Sequence, residues 1–324
     1  MINFVIIGAG WRAEFYLRIS KFLPEIFNVK AICIRNKERA KDIAAKYNVK
    51  VVDNIDDLLK EEFDFVVNCI NKTDISDLAV ELADRGHFVL CETPIISKPV
   101  FGHNYEKIQV AEQFHLKGIY QAIKKIVDMG VIGELSYVNM SMAHDYHGMS
   151  LIRFLFNKYD EPVKLADKTF ETEILKTNGR GGELMNKHIG SSTQKIKIYS
   201  FGAKYAVYDF TDDQYFSPIR RDRILLRGTK GEIENTKVRY FNKNNKFVES
   251  EIIVQKSGLL DGFYNDKIVF ESEVLFDFPF KEARLSEEEI AIAQCLIKMK
   301  QYIATGNELY SYEKAYKDYI YFEM

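Results

Sequence analysis

The stretch AHDYHGMSLIRFLF (143–156) sets His144 and His147 three positions apart, with Asp145 and Tyr146 between them. An imidazole exchanges its proton near neutral pH, so His147 is suited to delivering or accepting a proton at a heteroatom, and Asp145 could orient or charge the ring. Tyr146 and His144 are the other candidate partners. The same residues also allow a structural reading. In it, His144 or Asp145 ends the strand SYVNMSM, the helical stripe Met149, Ile152, Leu155 and Phe156 enters the core, and Arg153 is solvated or paired. No metal is expected here, because neither an HExxH pattern nor a thiolate pair adds a second set of ligands.

A second constellation opens the chain. Gly8, Gly10 and Ala13 form G-x-G-x-x-A directly after an apolar run and at the start of a helical pattern. Gly8 permits a tight turn, Gly10 lets backbone approach a pyrophosphate, and Ala13 allows close contact of helix and strand. At the end of the second strand, an acid would hydrogen-bond the ribose hydroxyls of NAD, but AICIRNKERA has Ile34 there, followed by Arg35, Asn36, Lys37 and Arg39. A 2′-phosphate would meet cations, which favours NADP(H) over NAD(H); the alternative is that KERA is only the solvated start of a helix. The expected dinucleotide contacts are Gly8, Gly10, Trp11, Arg12, Ala13, Arg35, Asn36, Ile70, Asn71, Glu92, Thr93 and Pro94. Trp11 could lie beside the dinucleotide or simply shield the start of the helix.

These residues need a scaffold. NFVIIG, KAICI, FDFVVNCI and HFVLC alternate with amphipathic helical patterns up to about residue 94, which predicts right-handed βαβ crossovers and a doubly wound parallel sheet. After the helix LKGIYQAIKKIVDMG the pattern becomes alternating β, through KIKIYSF, AKYAVYDF, RILLRG and KVRYF, as in a largely antiparallel sheet. Two helices close the chain, the first with a Ser cap, Glu three residues later and a Gly stop. The expected organisation is an α/β Rossmann domain over 1–114 and an α+β domain with a large open sheet over 115–324. The stretch 178–192, NGRGGELMNKHIGSS, reads as a glycine-rich loop between strands that could close over a substrate through Arg180, Lys187 and His188; a plain solvated connection is the alternative. Arg220 and Arg221 are weighed in the same way.

At 324 residues, two cores are expected. A net charge of −2 offers no footprint for nucleic acid or an anionic membrane. The four cysteines are too far apart for CxxC spacing and read as core thiols in a reducing compartment. With no signal-like or membrane-spanning run, a cytoplasmic protein is expected.

The order of GAGWRAEF, IRNKERA, GHFVLCETP, VDMGVIGEL, HGMSLIRFLF, LLRGTKGEI and the closing helices resembles the Gfo/Idh/MocA family of NAD(P)-dependent oxidoreductases over nearly the whole chain. The resemblance implies a Rossmann domain followed by a large open sheet, with substrate between that sheet and the nicotinamide. It also implies a lysine in Glu-Lys-Pro, and an Asp and a His four residues apart. Here Thr93 replaces the lysine, Ala143 the Asp and Ser150 another frequent Asp, while His147 matches the histidine. The helix after the Glu-Thr-Pro motif is expected to be missing or cut to a turn, and Gln113 replaces a frequent Arg, which argues against a strongly anionic sugar acid.

The function expected is hydride transfer to or from a small carbonyl, alcohol or imine. His147, Tyr146 and Asp145 are the proposed catalytic group, and Gln113, His144 and Arg180 are substrate candidates. The alternatives are an NADP(H)-binding sensor or regulator without turnover and a structural subunit. A homo-oligomer through the apolar sheet face is expected, since an exposed face of that kind invites association.

Overall fold

The computed structural model of the chain describes residues 1–179, 181–258 and 262–323. Compact contacts divide it into one unit of Met1–Gly118, Ser257–Asp266 and Phe278–Ile320 and a second of Ile119–Lys256, Lys267–Asp277 and Tyr321–Met324.

The first unit begins with β1 (Ile2–Ile7), α1 (Trp11–Phe22), β2 (Phe27–Cys33), α2 (Lys37–Tyr47), β3 (Val51–Val52) and α3 (Ile55–Leu58). It continues with β4 (Phe65–Asn68), α4 (Ile75–Asp84), β5 (Val89–Cys91) and β6 (Ile108–Val110). The strands pair in parallel in the order β3-β2-β1-β4-β5-β6. That order reverses beside β1, which creates the crevice at the carboxyl ends of the strands where dinucleotides bind. Both faces are apolar, as a parallel sheet requires. Phe4, Ile6, Phe65 and Val67 face one core, and Val5, Ile7, Val66 and Val89 face the other. Between β5 and β6 the described chain forms only turns and one helical turn at Tyr105–Lys107, so the shortened crossover is present as expected.

The second unit carries α5 (Gly118–Asp128), β7 (Leu135–Ser141) and α6 (Tyr146–Phe156), then the hairpin of β8 (Val163–Gly179) and β9 (Gly182–Phe201). After it come β10 (Lys204–Thr211), β11 (Arg223–Gly228), β12 (Gly231–Glu234), β13 (Lys237–Phe241), β14 (Phe247–Ser257), β15 (Tyr264–Phe270) and β16 (Glu273–Asp277). They form one ten-stranded sheet in the order β16-β15-β14-β13-β12-β11-β7-β10-β9-β8. The β7–β10 pair is parallel, and the other pairs of known register are antiparallel. On one face Tyr199, Tyr208 and Phe210 are buried, together with α6.

The expected loop at 178–192 is corrected here. All but its tip belongs to β8 and β9, whose pairing runs on to Gly179 and Gly182, because alternation keeps the ladder hydrogen bonds satisfied through the polar stretch. Lys187 pairs with Glu183, and His188 lies near the carbonyl of Asn186, both exposed. Arg180 lies outside the described residues.

Two helices close the chain: α7 (Glu287–Thr305) and α8 (Tyr312–Glu323). Ser286 and Glu289 form the expected capping box, and Gly306 ends α7 at φ +74°. Ala291, Ile292, Cys295, Leu296 and Met299 of α7 join the core that contains Phe4 and Tyr16, so α7 covers the same face of the parallel sheet as α1. All four cysteines are buried free thiols. Among the described residues, no helix is long and apolar enough to cross a membrane.

Candidate functional site

At the first turn of the parallel sheet, Gly8 adopts φ +112°, and a Cβ there would stand 2.6 Å from the carbonyl oxygen of Cys69. Only glycine fits that approach. A Cβ at Gly10 would meet nothing described within 4 Å, and α1 has no side-chain cap among the described residues. A helix start without a side-chain cap suits an anion, and Ala13 is buried against the strands, its N–H donating to the Gly10 carbonyl at 3.1 Å. The backbone cradle fits a pyrophosphate.

Past β2, Ile34 is buried and Arg35 is exposed. Asn36 caps α2 by accepting from the Arg39 N–H at 2.9 Å. Arg39 is itself engaged: its Nε donates to the Ala9 carbonyl at 3.1 Å and its guanidinium pairs with Glu14 at 2.5 Å. Hydrogen bonding from Lys46, Arg39 and Tyr47 overcomes burial and holds the Glu14 carboxyl down to about 2. Of the cations read from the sequence, Arg35 and Lys37 stay exposed at this end.

At the end of β5 the polar residues interlock. Glu92 is 4% exposed and accepts from the Tyr16 hydroxyl at 2.5 Å, while Arg12 Nε lies 3.5 Å from its other oxygen. Arg12, placed by the sequence among the dinucleotide contacts, turns to Glu92 and to Glu288 at 3.2 Å, with its guanidinium over the half-exposed Trp11 ring at 4.6 Å. Lys117 also reaches Glu288, at 2.6 Å. Burial works to raise the Glu288 pKa, but Lys117 and Arg12 outweigh it and hold the group down to about 2. Gln113 donates to Glu288 at 2.9 Å; its own buried Oε1 has no hydrogen-bond partner among the described residues. Beside it, burial pushes the Glu112 carboxyl well above its ordinary range, against the Phe114 N–H it accepts. Thr93 is half-buried, Ile70 is partly buried and Asn71 is exposed, its side chain bonded to Thr73 and Asp74.

In the second unit the residues 143–148 form a strained turn. Ala143 has φ +58°, and Asp145 has φ +48° and ψ −117°, a conformation that costs energy for any residue with a Cβ and persists only when its surroundings hold it. Three side chains distant in sequence do so. The Tyr208 hydroxyl of β10 accepts from the Asp145 N–H at 2.7 Å and donates to the Ala143 carbonyl at 3.3 Å. Tyr215, in the helical turn Asp212–Tyr215, accepts from the His144 N–H at 2.8 Å and lies 2.7 Å from His144 Nδ1. Lys195 of β9 pairs with the Asp145 carboxylate at 2.6 Å.

His147 lies within the first turn of α6, which begins at Tyr146. It is 2% exposed, edge-on to the His144 ring at 4.9 Å and beside the Tyr146 ring at 4.4 Å. Burial, followed by the neighbouring His147, holds the His144 pKa down to about 4, so this ring is neutral at physiological pH. Arg153 is fully buried and so not solvated; it donates to the Tyr159 carbonyl at 3.2 Å and stacks over Tyr159 and Tyr321. The second unit thus gathers His144, Asp145, Tyr146 and His147, and adds Lys195, Tyr208 and Tyr215. The first unit adds Tyr16, Lys117 and Glu288 to the Glu92 group. Sequence reasoning missed all six additions, because no local motif marks them.

The strand order, glycine turn and open helix start define a dinucleotide-binding Rossmann protein whose chain goes on into a large mixed sheet. Residues 2–129 match the family model GFO_IDH_MocA, described as an oxidoreductase family with an NAD-binding Rossmann fold. That segment is similar to the NAD-binding domain of the Gfo/Idh/MocA oxidoreductases. Among solved structures it is similar to an oxidoreductase from Agrobacterium radiobacter in complex with NAD+, L-tartaric acid and magnesium, at 14% identity and TM-score 0.64 over 99% of this chain and 94% of that one. A levoglucosan dehydrogenase in complex with NADH and levoglucosan gives 14% identity and TM-score 0.64 over 99% and 95%. An oxidoreductase from Thermotoga maritima gives 19% and 0.62 over 99% and 94%. The likeness is one of fold. No curated protein sequence matches the chain.

Proposed function

We propose that the chain is an NADP(H)-dependent oxidoreductase acting on a small carbonyl, alcohol or imine, with His147 handling the substrate proton. The observation that carries this reading is the turn at 143–148, where backbone strain is maintained by Tyr208, Tyr215 and Lys195 around His144 and the buried His147. Such strain is characteristic of functional sites. Hydride chemistry is what the dinucleotide supplies when bound. The chain's own residues do the rest. Gly8, Gly10 and the N-terminus of α1 hold the pyrophosphate, and Arg35 meets the 2′-phosphate where no acid follows Ile34. NAD(H) is the second choice of cofactor, as the relatives solved with NAD+ and NADH suggest. Glu92 is engaged by Tyr16 and Arg12 and does not serve as the proton-handling group; with Thr93 in place of the lysine, that work falls to His147. His144 stays neutral and Asp145 is balanced by Lys195. The same reading includes a cytoplasmic homo-oligomer with no nucleic-acid or membrane partner.

The test is a screen of carbonyls and cyclic imines for loss of NADPH absorbance, followed by His147→Asn. Turnover should fall by roughly 10² to 10⁴ while NADPH affinity stays within about twofold. Unchanged turnover in the variant would remove His147 from the chemistry. Tight NADPH binding without oxidation by any compound would support the sensor reading.

A further inference from the structure

In the second unit, a cavity of about 600 Å³ opens beside the carboxyl end of β10, walled by Thr211, Gln214, Pro218, Ile219, Arg220 and Arg221. Its acids are already taken: Asp209 pairs with Arg223 at 3.1 Å, and Asp213 nearby pairs with Lys176 at 2.5 Å. Among the described residues, no carboxylate pairs with Arg220 or Arg221. Their loop is fixed, because Gln214 Nε2 donates to the Arg221 carbonyl at 3.0 Å and to the Ser141 carbonyl at 2.7 Å, and the Arg220 N–H donates to the Ser217 carbonyl at 3.2 Å. Two guanidinium groups on a tethered loop, that of Arg220 donating to the Ile219 carbonyl at 3.1 Å, stand beside the exposed apolar side chain of Ile219, the charge and apolar surface that a small organic anion needs.

The wall of this cavity also holds the histidine turn. Thr211 and Gln214 make the capping box of the helical turn Asp212–Tyr215, and Tyr215 is the residue bonded to His144. A ligand that shifts Gln214 therefore shifts the hydrogen bond at His144. We propose that this cavity is an effector site for a small organic anion, a carboxylate or phosphate ester with an apolar body, read out at His144 through Asp212–Tyr215. The site lies outside the chemistry assigned above and stands without it.

Isothermal titration of the full chain, saturated with NADPH, with phenyl phosphate, benzoate, inorganic phosphate and neutral phenol tests it. Phenyl phosphate or benzoate should bind one site, phenol should not, and the weaker binding of inorganic phosphate would show that the apolar wall contributes. The double variant Arg220→Ala/Arg221→Ala should bind about tenfold more weakly or worse. A control removing two charges from the β13–β14 turn, Lys243→Ala/Lys246→Ala, should bind as the wild type does. Imidazole NMR should show the His144 resonance moving with phenyl phosphate in the wild type and staying still in the arginine variant. No saturable binding, equal loss in both double variants, or binding with a stationary His144 resonance would each overturn the proposal. So would sedimentation showing that the arginine variant dissociates an oligomer and that phenyl phosphate binds only the dissociated chain, since a second copy would then be the occupant.

Discussion

Beside Thr93, the charges near the end of β5 are balanced among themselves: Arg12 faces Glu92 and Glu288, and Lys117 faces Glu288. A third acid, Glu112, is pushed above its ordinary range by burial, and this has a pH signature. Its folded pKa is raised, so its contribution is complete below its ordinary value of 4.5 and is lost as pH rises toward the folded value. Glu112→Gln should therefore be more stable than the wild type at neutral pH and lose that advantage near pH 4.5; parallel urea midpoints across this range would refute it. His144 works from the other side. Its folded pKa of about 4 lies below the ordinary 6.5, so the unfolded chain takes the proton first and stability falls as pH drops from 6.5 through 4. Replacing His144 with Asn should flatten that limb, as read by urea midpoints against pH. The proposed cofactor choice rests on Arg35. Arg35→Ala should narrow the preference for NADPH over NADH by about tenfold, the size of one charge-assisted hydrogen bond, as measured by quenching of Trp11. Equal affinity for both cofactors in the wild type would end the NADP(H) assignment.

Among the helices, α6 depends on a single small residue. A Cβ on Gly148 would stand 2.5 Å from the Tyr208 ring and 3.0 Å from the Ala143 carbonyl, and Tyr208 is fully buried between α6 and Phe322. Neither neighbour can give way without disturbing the turn that holds Asp145. Gly148→Ala should cost about 1–3 kcal/mol by overpacking, despite the better helix propensity of alanine. Denaturation midpoints would read the loss, and a stabilised variant would mean that the Tyr208 clamp yields. The start of α7 offers the opposite case, because its cap is wholly local. Ser286→Ala should cost about 1 kcal/mol without altering the parallel sheet it covers.

For the molecule as a whole, the ten-stranded sheet presents a divided face. One row of cross-strand neighbours runs Val163, Ser200, Tyr205, Tyr137, Arg227, Glu232, Arg239 and Glu249. Its second half is a ladder of ion pairs through Arg227, Glu232, Arg239 and Glu249. Its first half is apolar and exposed, with Val163 at 62% and Tyr205 at 45% beside Leu165 at 61%. Self-association is therefore proposed through the β8–β10 half and not through the charged half. Tyr205→Glu should shift sedimentation toward the monomer, whereas Arg239→Ala should leave it unchanged; the reverse result would place the contact on the ion-pair ladder.

Much of this was present in the sequence because it is encoded in short windows. The glycine turn, the alternation of strands and helices, the buried stripe of α6 and the Ser286 to Gly306 frame of α7 each rest on residues a few positions apart, where periodicity, caps and left-handed glycines act directly. The long β8–β9 hairpin was misread as a loop at 178–192, since polar and glycine residues resemble a connection unless the partner strand is known. The tertiary structure alone determined which distant groups meet. Arg12 and Glu288 are separated by 276 positions, Asp145 and Lys195 by 50, and His144 and Tyr215 by 71. It likewise determined that α7 shares a core with α1. Ion pairs and clamps of this kind follow from burial, which makes an unpaired polar group costly and selects its partner from anywhere in the chain that packing brings close.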